Sequence, residues 1–276
     1  TAAAGEVSAA AARLTGLLAG TPVLAGTGDT FASIVRCGAV EPGDAMISAG
    51  TSGLLTLTQR PLLDSVMGPH FDSGSGLAAV RWAANVLAAG QLVSWYANQL
   101  NLPGTNCAVE DEELLRLLEE GARQIPPAAE GLLALPHWQG RRTPQPDARV
   151  RGGLIGLTPR HTGAHIYRAL LESFGYNLRQ GLDPIRAEVK RFVITGGGAR
   201  SALWREILAG ILEVELEFSP RTSTALGMAY LAAWGVGGVH DFDTVKTQWL
   251  GRMARVQPDP ASRAAYQNAY AAYQIF

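Results

Sequence analysis

Apolar positions along the chain recur with two periods, and together they predict strands and helices that follow each other through most of the sequence. Apolar residues at helical spacing predict helices over 2–18, 30–37, 77–100, 110–122, 162–180, 201–212, 224–234 and 259–273. Short apolar runs bounded by glycine, proline or polar residues predict strands over 22–25, 45–48, 54–58, 132–135, 191–194 and 214–218, and a strand followed by a turn over 152–158. This alternation is typical of the α/β class.

The segment 22–30 presents a single carboxylate between a strand and a helix. Pro22 to Ala25 is predicted to be a short buried strand, and Gly26 and Gly28 break it just before Asp29. A side chain in such a turn can be aimed into a cleft as a catalytic group. Aspartate is also a favoured N-cap, and these residues taken alone favour helix capping over catalysis.

Two glycine-rich turns are candidate anion or nucleotide sites. Gly50, Thr51, Ser52 and Gly53 form the predicted loop of a hairpin, where backbone N–H groups can converge on an anion. The segment 196–201 follows a strand and opens a helix, so its backbone and the helix dipole suit a nucleotide. Neither turn matches the Walker A or the dinucleotide pattern, and each alone is compatible with a purely structural role.

Composition and charge narrow the function classes. The chain has 276 residues, of which 47% are hydrophobic and 17% charged, so it can bury a sizeable core as one large or two medium domains. The net charge of −1 gives no reason to expect nucleic acid or an anionic membrane as a partner. No apolar run reaches transmembrane length and no signal peptide is recognisable. A basic cluster in the loop 136–151 contains Arg141, Arg142, Arg149 and Arg151, for which solvation is favoured over phosphate contact.

Cysteine and histidine positions predict neither a disulfide framework nor a metal site. Cys37 and Cys107 are the two cysteines, which is typical of a protein in the reducing cytoplasm. His161 and His165 are four residues apart and could share a helix face, but the sequence shows no third ligand near them.

The order of a strand-tip carboxylate, a Gly-Thr hairpin and a strand–glycine–helix turn resembles the FGGY family of carbohydrate kinases, specifically its second domain. The similarity extends over most of the chain. The matching segments are 14–17, 20–23, 26–29, 40–44, 47–53, 152–172, 195–204 and 225–227.

The resemblance implies an α/β, ribonuclease H-like (actin-like ATPase) fold and ATP-dependent phosphorylation of a sugar hydroxyl, with Mg²⁺ as a further cofactor. The resemblance also favours a catalytic role for Asp29 over helix capping. Asp29 would act as the general base, and both Asp29 and the adjacent Thr30 would bind the substrate. The nucleotide-binding residues that it implies are Gly50, Thr51 and Ser52 at the phosphates, Gly156 near the nucleotide, and Gly197, Gly198 and Ser201 at adenosine.

Three departures from the family pattern leave the sugar open. Arg141 and Ser223 stand where relatives commonly have an acid, and Thr30 stands where Asn or Gln is frequent and helps to hold the sugar. A pentulose such as xylulose is the expected substrate, while ribulose, gluconate, glycerol or another polyol remain alternatives.

Residues 1–38 are expected to be the end of an N-terminal FGGY domain, including the catalytic turn, and residues 39–276 the C-terminal, nucleotide-side domain. No Asp-x-Gly-Thr turn precedes Asp29, so we expect a missing N-terminal domain as a partner and little or no activity of this chain alone. A homodimer is a candidate oligomeric state. Two alternatives remain: a nucleotide-binding module of the same fold without catalysis, which Asp29 disfavours, and an α/β domain whose glycine turns are all structural.

Overall fold

The computed structural model describes residues 3–60, 79–100, 111–219, 224–239, 251 and 253–276. The chain divides into two compact units. The first unit comprises Thr1–Pro42, Thr58–Val80 and Ser219–Met253, and the second unit comprises Gly43–Leu57, Arg81–Phe218 and Ala254–Phe276. Cys107 and Ser223 lie outside the described residues, and Cys37 is a buried free thiol.

The described elements alternate as the α/β class requires. The strands are β1 (Ala3–Glu6), β2 (Pro22–Leu24), β3 (Asp44–Ala49), β4 (Gly53–Thr58), β5 (Val80–Val86), β6 (Leu133–Leu135), β7 (Gly153–Ile155), β8 (Arg191–Thr195), β9 (Leu216–Phe218) and β10 (Ala254–Val256). The α-helices are α1 (Ala9–Thr15), α2 (Asp29–Arg36), α3 (Gly90–Leu100), α4 (Asp111–Arg123), α5 (Gly163–Leu182), α6 (Ala202–Leu212), α7 (Thr224–Gly235) and α8 (Arg263–Tyr273). No helix within these ranges combines the length and apolarity that crossing a bilayer requires.

Most predicted elements are confirmed, and the errors have physical causes. The helix predicted over 77–100 is wrong in its first half, because Val80–Val86 forms a strand at one edge of the main sheet. Pairing with a neighbouring strand overrides the helical spacing of its apolar residues. The helix predicted over 2–18 is also too long, since Ala3–Glu6 pairs with β2 instead. The prediction of a buried strand over 22–25 is wrong in its burial, because Pro22 and Val23 are exposed.

The main sheet explains how the two glycine turns come together. Its strand order is β10-β9-β8-β3-β4-β5. Strands β3 and β4 form the predicted antiparallel hairpin, while β3 is parallel to β8 with Ser48 opposite Thr195. Parallel strands end at the same edge of a sheet. The hairpin loop after β3 and the glycine turn after β8 therefore emerge side by side.

The core of the second unit packs the sheet against α5 and α6. Phe174 of α5 and Trp204 of α6 meet with their ring centroids 5.5 Å apart, and the indole Nε1 of Trp204 donates to the Leu171 carbonyl at 3.1 Å. Gly53 lies against the Phe174 ring so closely that a Cβ there would overlap it. Burying a large apolar side chain contributes about 1.5–3 kcal/mol, so this cluster anchors the strands that carry both glycine turns.

In the first unit, α2 and α7 approach closely through a glycine. A Cβ on Gly227 would overlap the carbonyl of Ala32. Ala32, Ile34 and Val35 of α2 are buried, and the hydroxyl of Thr58 donates to the Ala39 carbonyl at 2.7 Å just after this helix. The glycine of the 225–227 motif thus serves helix packing around α2.

Candidate functional site

The hairpin loop between β3 and β4 is held by the first turn of α3. The carbonyl of Gly50 accepts a hydrogen bond from the N–H of Gly90 at 2.8 Å. The carbonyl of Thr51 accepts from the N–H groups of Ala89 at 3.0 Å and Gln91 at 3.1 Å. Backbone N–H groups at a helix start have no partner within their own helix. These bonds therefore provide partners for the N–H groups of α3, and they also hold the hairpin loop in place.

The glycine turn after β8 packs against the start of the same loop. Gly196 has a φ of 94°, and a Cβ there would lie 2.7 Å from the Ala49 carbonyl carbon. Gly198 lies under the Trp204 ring, where a Cβ would overlap it. A Cβ on Gly197 would have no neighbour within 4 Å, so this residue faces open space and can admit a ligand.

Side chains from two helices cap the start of α6. The hydroxyl of Ser201 accepts from the N–H of Trp204 at 3.0 Å, and Oε1 of Glu119 on α4 accepts from the N–H of Leu203 at 3.0 Å. Ser201 is therefore an N-cap, and a carboxylate already occupies the positive end of the helix dipole. The positive end of the α6 dipole therefore faces the Glu119 carboxylate in place of a phosphate.

A cavity of about 940 Å³ in the second unit joins these features. Five predicted nucleotide residues line it, namely Gly50, Thr51, Gly197, Gly198 and Ser201. The remaining lining residues are Ala49, Gly90, Gln91, Val93, Ser94, Leu115, Arg116, Glu119, Glu120, Arg123, Tyr167, Arg200, Ala202 and Trp204. Its volume lies within the range of small-molecule sites.

Two of the predicted nucleotide residues do not line this cavity. Ser52 is exposed at the tip of the hairpin loop. Gly156 follows β7 with a φ of 88°, and a Cβ there would lie 2.8 Å from the Gly131 carbonyl oxygen. The structure thus shows a packing role for Gly156, and nucleotide contact by Ser52 and Gly156 stays a prediction.

Sequence reasoning missed the walls that α3 and α4 contribute to the cavity. In the structure Gly90 begins α3, but it falls inside the helix predicted over 77–100. The glycine itself, which stands between Ala89 and the polar Gln91, is the sequence signal that could have marked a helix start. On α4 the missed residues are charged. Arg116 lies 2.5 Å from Glu120, and Arg123 lies 2.7 Å from Glu206. Nothing in the sequence distinguishes these exposed ion pairs from an ordinary solvated helix face.

Asp29 is exposed at the first position of α2, in the first unit. The N-cap is Gly28, so the interpretation of Asp29 as an N-cap is wrong by one residue. Its Oδ1 accepts from the N–H of Thr30 at 2.7 Å, and Thr30 is half-buried. Asp29 therefore presents an accessible carboxylate that could accept a proton.

The segment 152–172 ends in a buried ion pair that supports a strained turn. Nε of Arg168 donates to Oε1 of Glu172 at 2.8 Å, and the same oxygen accepts from the N–H of Ala128 at 3.0 Å. Ala128, Ala129 and Glu130 all have left-handed φ values, of 69°, 45° and 54°. Such a conformation is costly for residues with a Cβ, so an external partner is needed to hold it.

The histidine pair makes local hydrogen bonds. Nδ1 of His161 accepts from the N–H of Thr158 at 3.0 Å, and Nδ1 of His165 accepts from the N–H of Thr162 at 3.1 Å. Within the part of the chain that the structure describes, no group of three His, Cys, Asp or Glu side chains is placed to hold a metal ion.

Comparisons with known proteins agree with this architecture. The profile of the C-terminal domain of the FGGY family of carbohydrate kinases matches residues 45–236. Among curated proteins, the xylulose kinase of Bacillus subtilis is 28% identical over 265 residues, which are 94% of this chain and 51% of that protein. The gluconokinase of Bacillus subtilis is 27% identical over 266 residues, which are 90% of this chain and 49% of that protein.

A solved structure, that of the xylulose kinase from Rhodospirillum rubrum, matches with a TM-score of 0.74 and 27% identity. It is similar over 99% of this chain and 54% of its own. This likeness confirms the predicted actin-like α/β fold class. The chain spans about half the length of the curated relatives that it matches.

Proposed function

Because the chain belongs to the FGGY family of carbohydrate kinases, we propose that it is the nucleotide-side part of an ATP-dependent sugar kinase. The observation that carries this proposal is the cavity in which the hairpin loop and the glycine turn meet, with Gly50 and Thr51 on one element and Gly197, Gly198 and Ser201 on another. One cavity lined by both turns suits a ligand that has phosphates at one end and a nucleoside at the other.

We assign the phosphates of ATP to the hairpin loop and its adenosine to the glycine turn. The open space at Gly197 and the close packing of Gly198 under Trp204 leave a smooth surface for the nucleoside. At the hairpin loop, Thr51 adds a hydroxyl to the backbone donors. Mg²⁺ is usually held by nucleotide phosphates and one or two carboxylates, so it would arrive with ATP.

Asp29 is the proposed general base. It would accept the proton of the attacking sugar hydroxyl, while Thr30 contacts the sugar. Catalysis of phosphoryl transfer requires mainly that the reactants are positioned and that the charge of the transition state is stabilised. One exposed carboxylate at a helix start is therefore a suitable base. A nucleotide-binding module without catalysis is the alternative, and it gives no role to an acid at this position.

A pentulose such as xylulose is the proposed acceptor. The support is the similarity to the xylulose kinases named above. Ribulose, gluconate, glycerol or another polyol are alternatives, and the gluconokinase relative favours gluconate among them. Thr30 and Arg141 depart from the residues common in relatives, so the substrate panel described below includes each of these sugars and polyols.

We propose further that an N-terminal domain completes the kinase, with residues 1–38 as the end of that domain and residues 39–276 as the C-terminal domain. The half-length match to the relatives supports this. A cytoplasmic location and a homodimer complete the proposal.

Two experiments test the proposed function. Isothermal titration of this chain with ATP and with GTP is expected to show binding of ATP, whereas the absence of binding would indicate that the glycine turns are structural. The full-length protein is then assayed with ATP and a panel of xylulose, ribulose, gluconate and glycerol. Turnover with xylulose is expected; ATP binding without turnover on any sugar would favour the non-catalytic module.

A further inference from the structure

The first turn of α3 makes backbone hydrogen bonds to the hairpin loop, and these bonds determine where the loop directs its N–H donors. The structure places the N–H groups of residues 89, 90 and 91 on the carbonyls of Gly50 and Thr51, at 2.8–3.1 Å. The carbonyls of Gly50 and Thr51 are thereby turned toward α3.

The direction of the loop N–H groups follows from peptide geometry. The cis peptide bond in the described chain is Thr143–Pro144, so the peptides that join Gly50 to Thr51 and Thr51 to Ser52 are trans. In a trans peptide the C=O and the following N–H point in opposite directions. With their carbonyls on α3, these two peptides direct the N–H groups of Thr51 and Ser52 away from the helix. Neither N–H donates to any group within the described residues.

The lack of a side chain at Gly90 allows α3 to approach the hairpin loop this closely. A Cβ on Gly90 would lie 2.7 Å from the Gly50 carbonyl oxygen and 3.3 Å from its carbon, both of which are backbone atoms. The φ of Gly90 is outside the left-handed region, so an alanine would meet this steric conflict without added backbone strain. From another side, a Cβ on Gly196 would lie 3.0 Å from the Gly50 backbone nitrogen. The start of the loop is thus confined between two glycines.

We propose that Gly90 is a positioning residue for the phosphates of the nucleotide. By bringing the start of α3 onto the Gly50 and Thr51 carbonyls, it presents the N–H groups of Thr51 and Ser52 as a pair of donors for an anion. This inference rests on the proposed function, because it takes the anion to be the phosphates of ATP. It assigns Gly90 a task in phosphate binding and none in nucleoside binding.

The Gly90→Ala variant tests the assignment, and Gly121→Ala on α4 is the matched control. A Cβ on Gly121 would meet only the Ala164 Cβ, at 3.4 Å, and this residue does not line the cavity. Binding of ATP and of adenosine to the chain is measured by calorimetry. For Gly90→Ala we expect the affinity for ATP to fall about tenfold or more, as for weakened hydrogen bonds to a charged group, while the affinity for adenosine stays unchanged.

The other outcomes of the binding experiment distinguish failure of this inference from failure of the proposed function. Equal losses for ATP and adenosine, or no loss for either, would overturn the role of Gly90 while the proposed function stands. No ATP binding by the unaltered chain would overturn both.

Amide hydrogen exchange of the unaltered chain gives a readout that does not depend on a variant folding. The amides of Thr51 and Ser52 are expected to gain protection when ATP is added and none when adenosine is added, and Gly90 is expected to be protected throughout. Exchange at Thr51 and Ser52 that ATP leaves unchanged would also overturn the inference.

Discussion

Nε of Arg168 lies 2.8 Å from Oε1 of Glu172, and the two side chains are 6% and 0% exposed. Arg168 also donates to the Ile125 carbonyl and to the Tyr266 hydroxyl, both at 2.8 Å. One buried ion pair therefore links α5 to the turn after α4 and to α8. The pair lies at the end of the segment 152–172, one of those that resemble the family pattern, and its buried contacts indicate a structural role.

Removing one partner of this pair is expected to destabilise the chain strongly. Arg168→Met would leave Glu172 buried without its counter-charge, which lowers the free energy of unfolding by about 3–5 kcal/mol. Urea denaturation measures the change. The control is Arg116→Met, which removes an exposed arginine paired with Glu113 and Glu120, and we expect a change of at most about 1 kcal/mol. Equal effects of the two substitutions would contradict the prediction.

The same carboxyl predicts a pH dependence of stability. Burial raises the pKa of Glu172 from its ordinary 4.5 to about 7, although Arg168 favours the ionised form. Between these two values the folded chain binds more protons at this group than the unfolded chain, so the contribution of Glu172 to the free energy of unfolding falls as pH rises. Burial raises the pKa of the neighbouring Tyr176 and Tyr266, so both stay neutral in this window.

Glu172→Gln removes that contribution. Urea denaturation between pH 4.5 and 7 is expected to show a variant that gains stability relative to the unaltered chain as pH rises. A constant difference across the window would mean that Glu172 keeps an ordinary pKa.

Gly227→Ala is expected to disturb the helix that carries Asp29. A Cβ at this position overlaps the Ala32 carbonyl, so α2 and α7 must separate, and overpacking of this kind typically costs about 1–3 kcal/mol. We expect a lower melting temperature and faster amide exchange in α2. Ala232→Ser, on the exposed face of α7, is the control and should change neither. Unaltered α2 exchange in Gly227→Ala would show that the two helices tolerate a methyl group between them.

Asp29→Asn separates catalysis from binding. As a general base Asp29 is expected to contribute about 10²–10⁴-fold to turnover, so the asparagine variant of the full-length kinase should lose that factor and keep its affinity for ATP. Steady-state kinetics and calorimetry measure the two quantities. Glu6→Gln removes another exposed acid of the first unit and should leave turnover unchanged. Wild-type turnover of Asp29→Asn would remove its proposed role.

This chain by itself is expected to bind ATP and to show little or no sugar phosphorylation. Domain closure, which excludes water and completes a kinase site, needs both walls of the cleft. A coupled assay that detects released ADP, run on this chain and on the full-length protein at equal concentration, measures the difference. Equal turnover of the two proteins would refute the expectation that the N-terminal domain is required.

Much of the architecture could be read from local patterns. The hairpin over 45–58, the strand before Gly196 and the helices that follow are confirmed, because their apolar periods and glycine punctuation agree with each other. The order of Asp29, the Gly50 loop and the Gly196 turn was sufficient to indicate the family, since that order is a property of the sequence.

Tertiary contacts decided what local patterns could not. Residues 80–86 have helical spacing, yet they become a strand because the sheet edge beside β4 offers backbone partners. The register of β3 against β8, with Ser48 opposite Thr195, brings the two glycine turns together. A glycine is needed at position 90 only because the Gly50 carbonyl approaches it, and the start of α6 is held by Glu119, which lies on α4 far back in the sequence. The sequence determined most of the elements and the residue types of the two glycine turns. Only the tertiary structure decided which backbone atoms meet, because that depends on pairing between segments far apart in the chain.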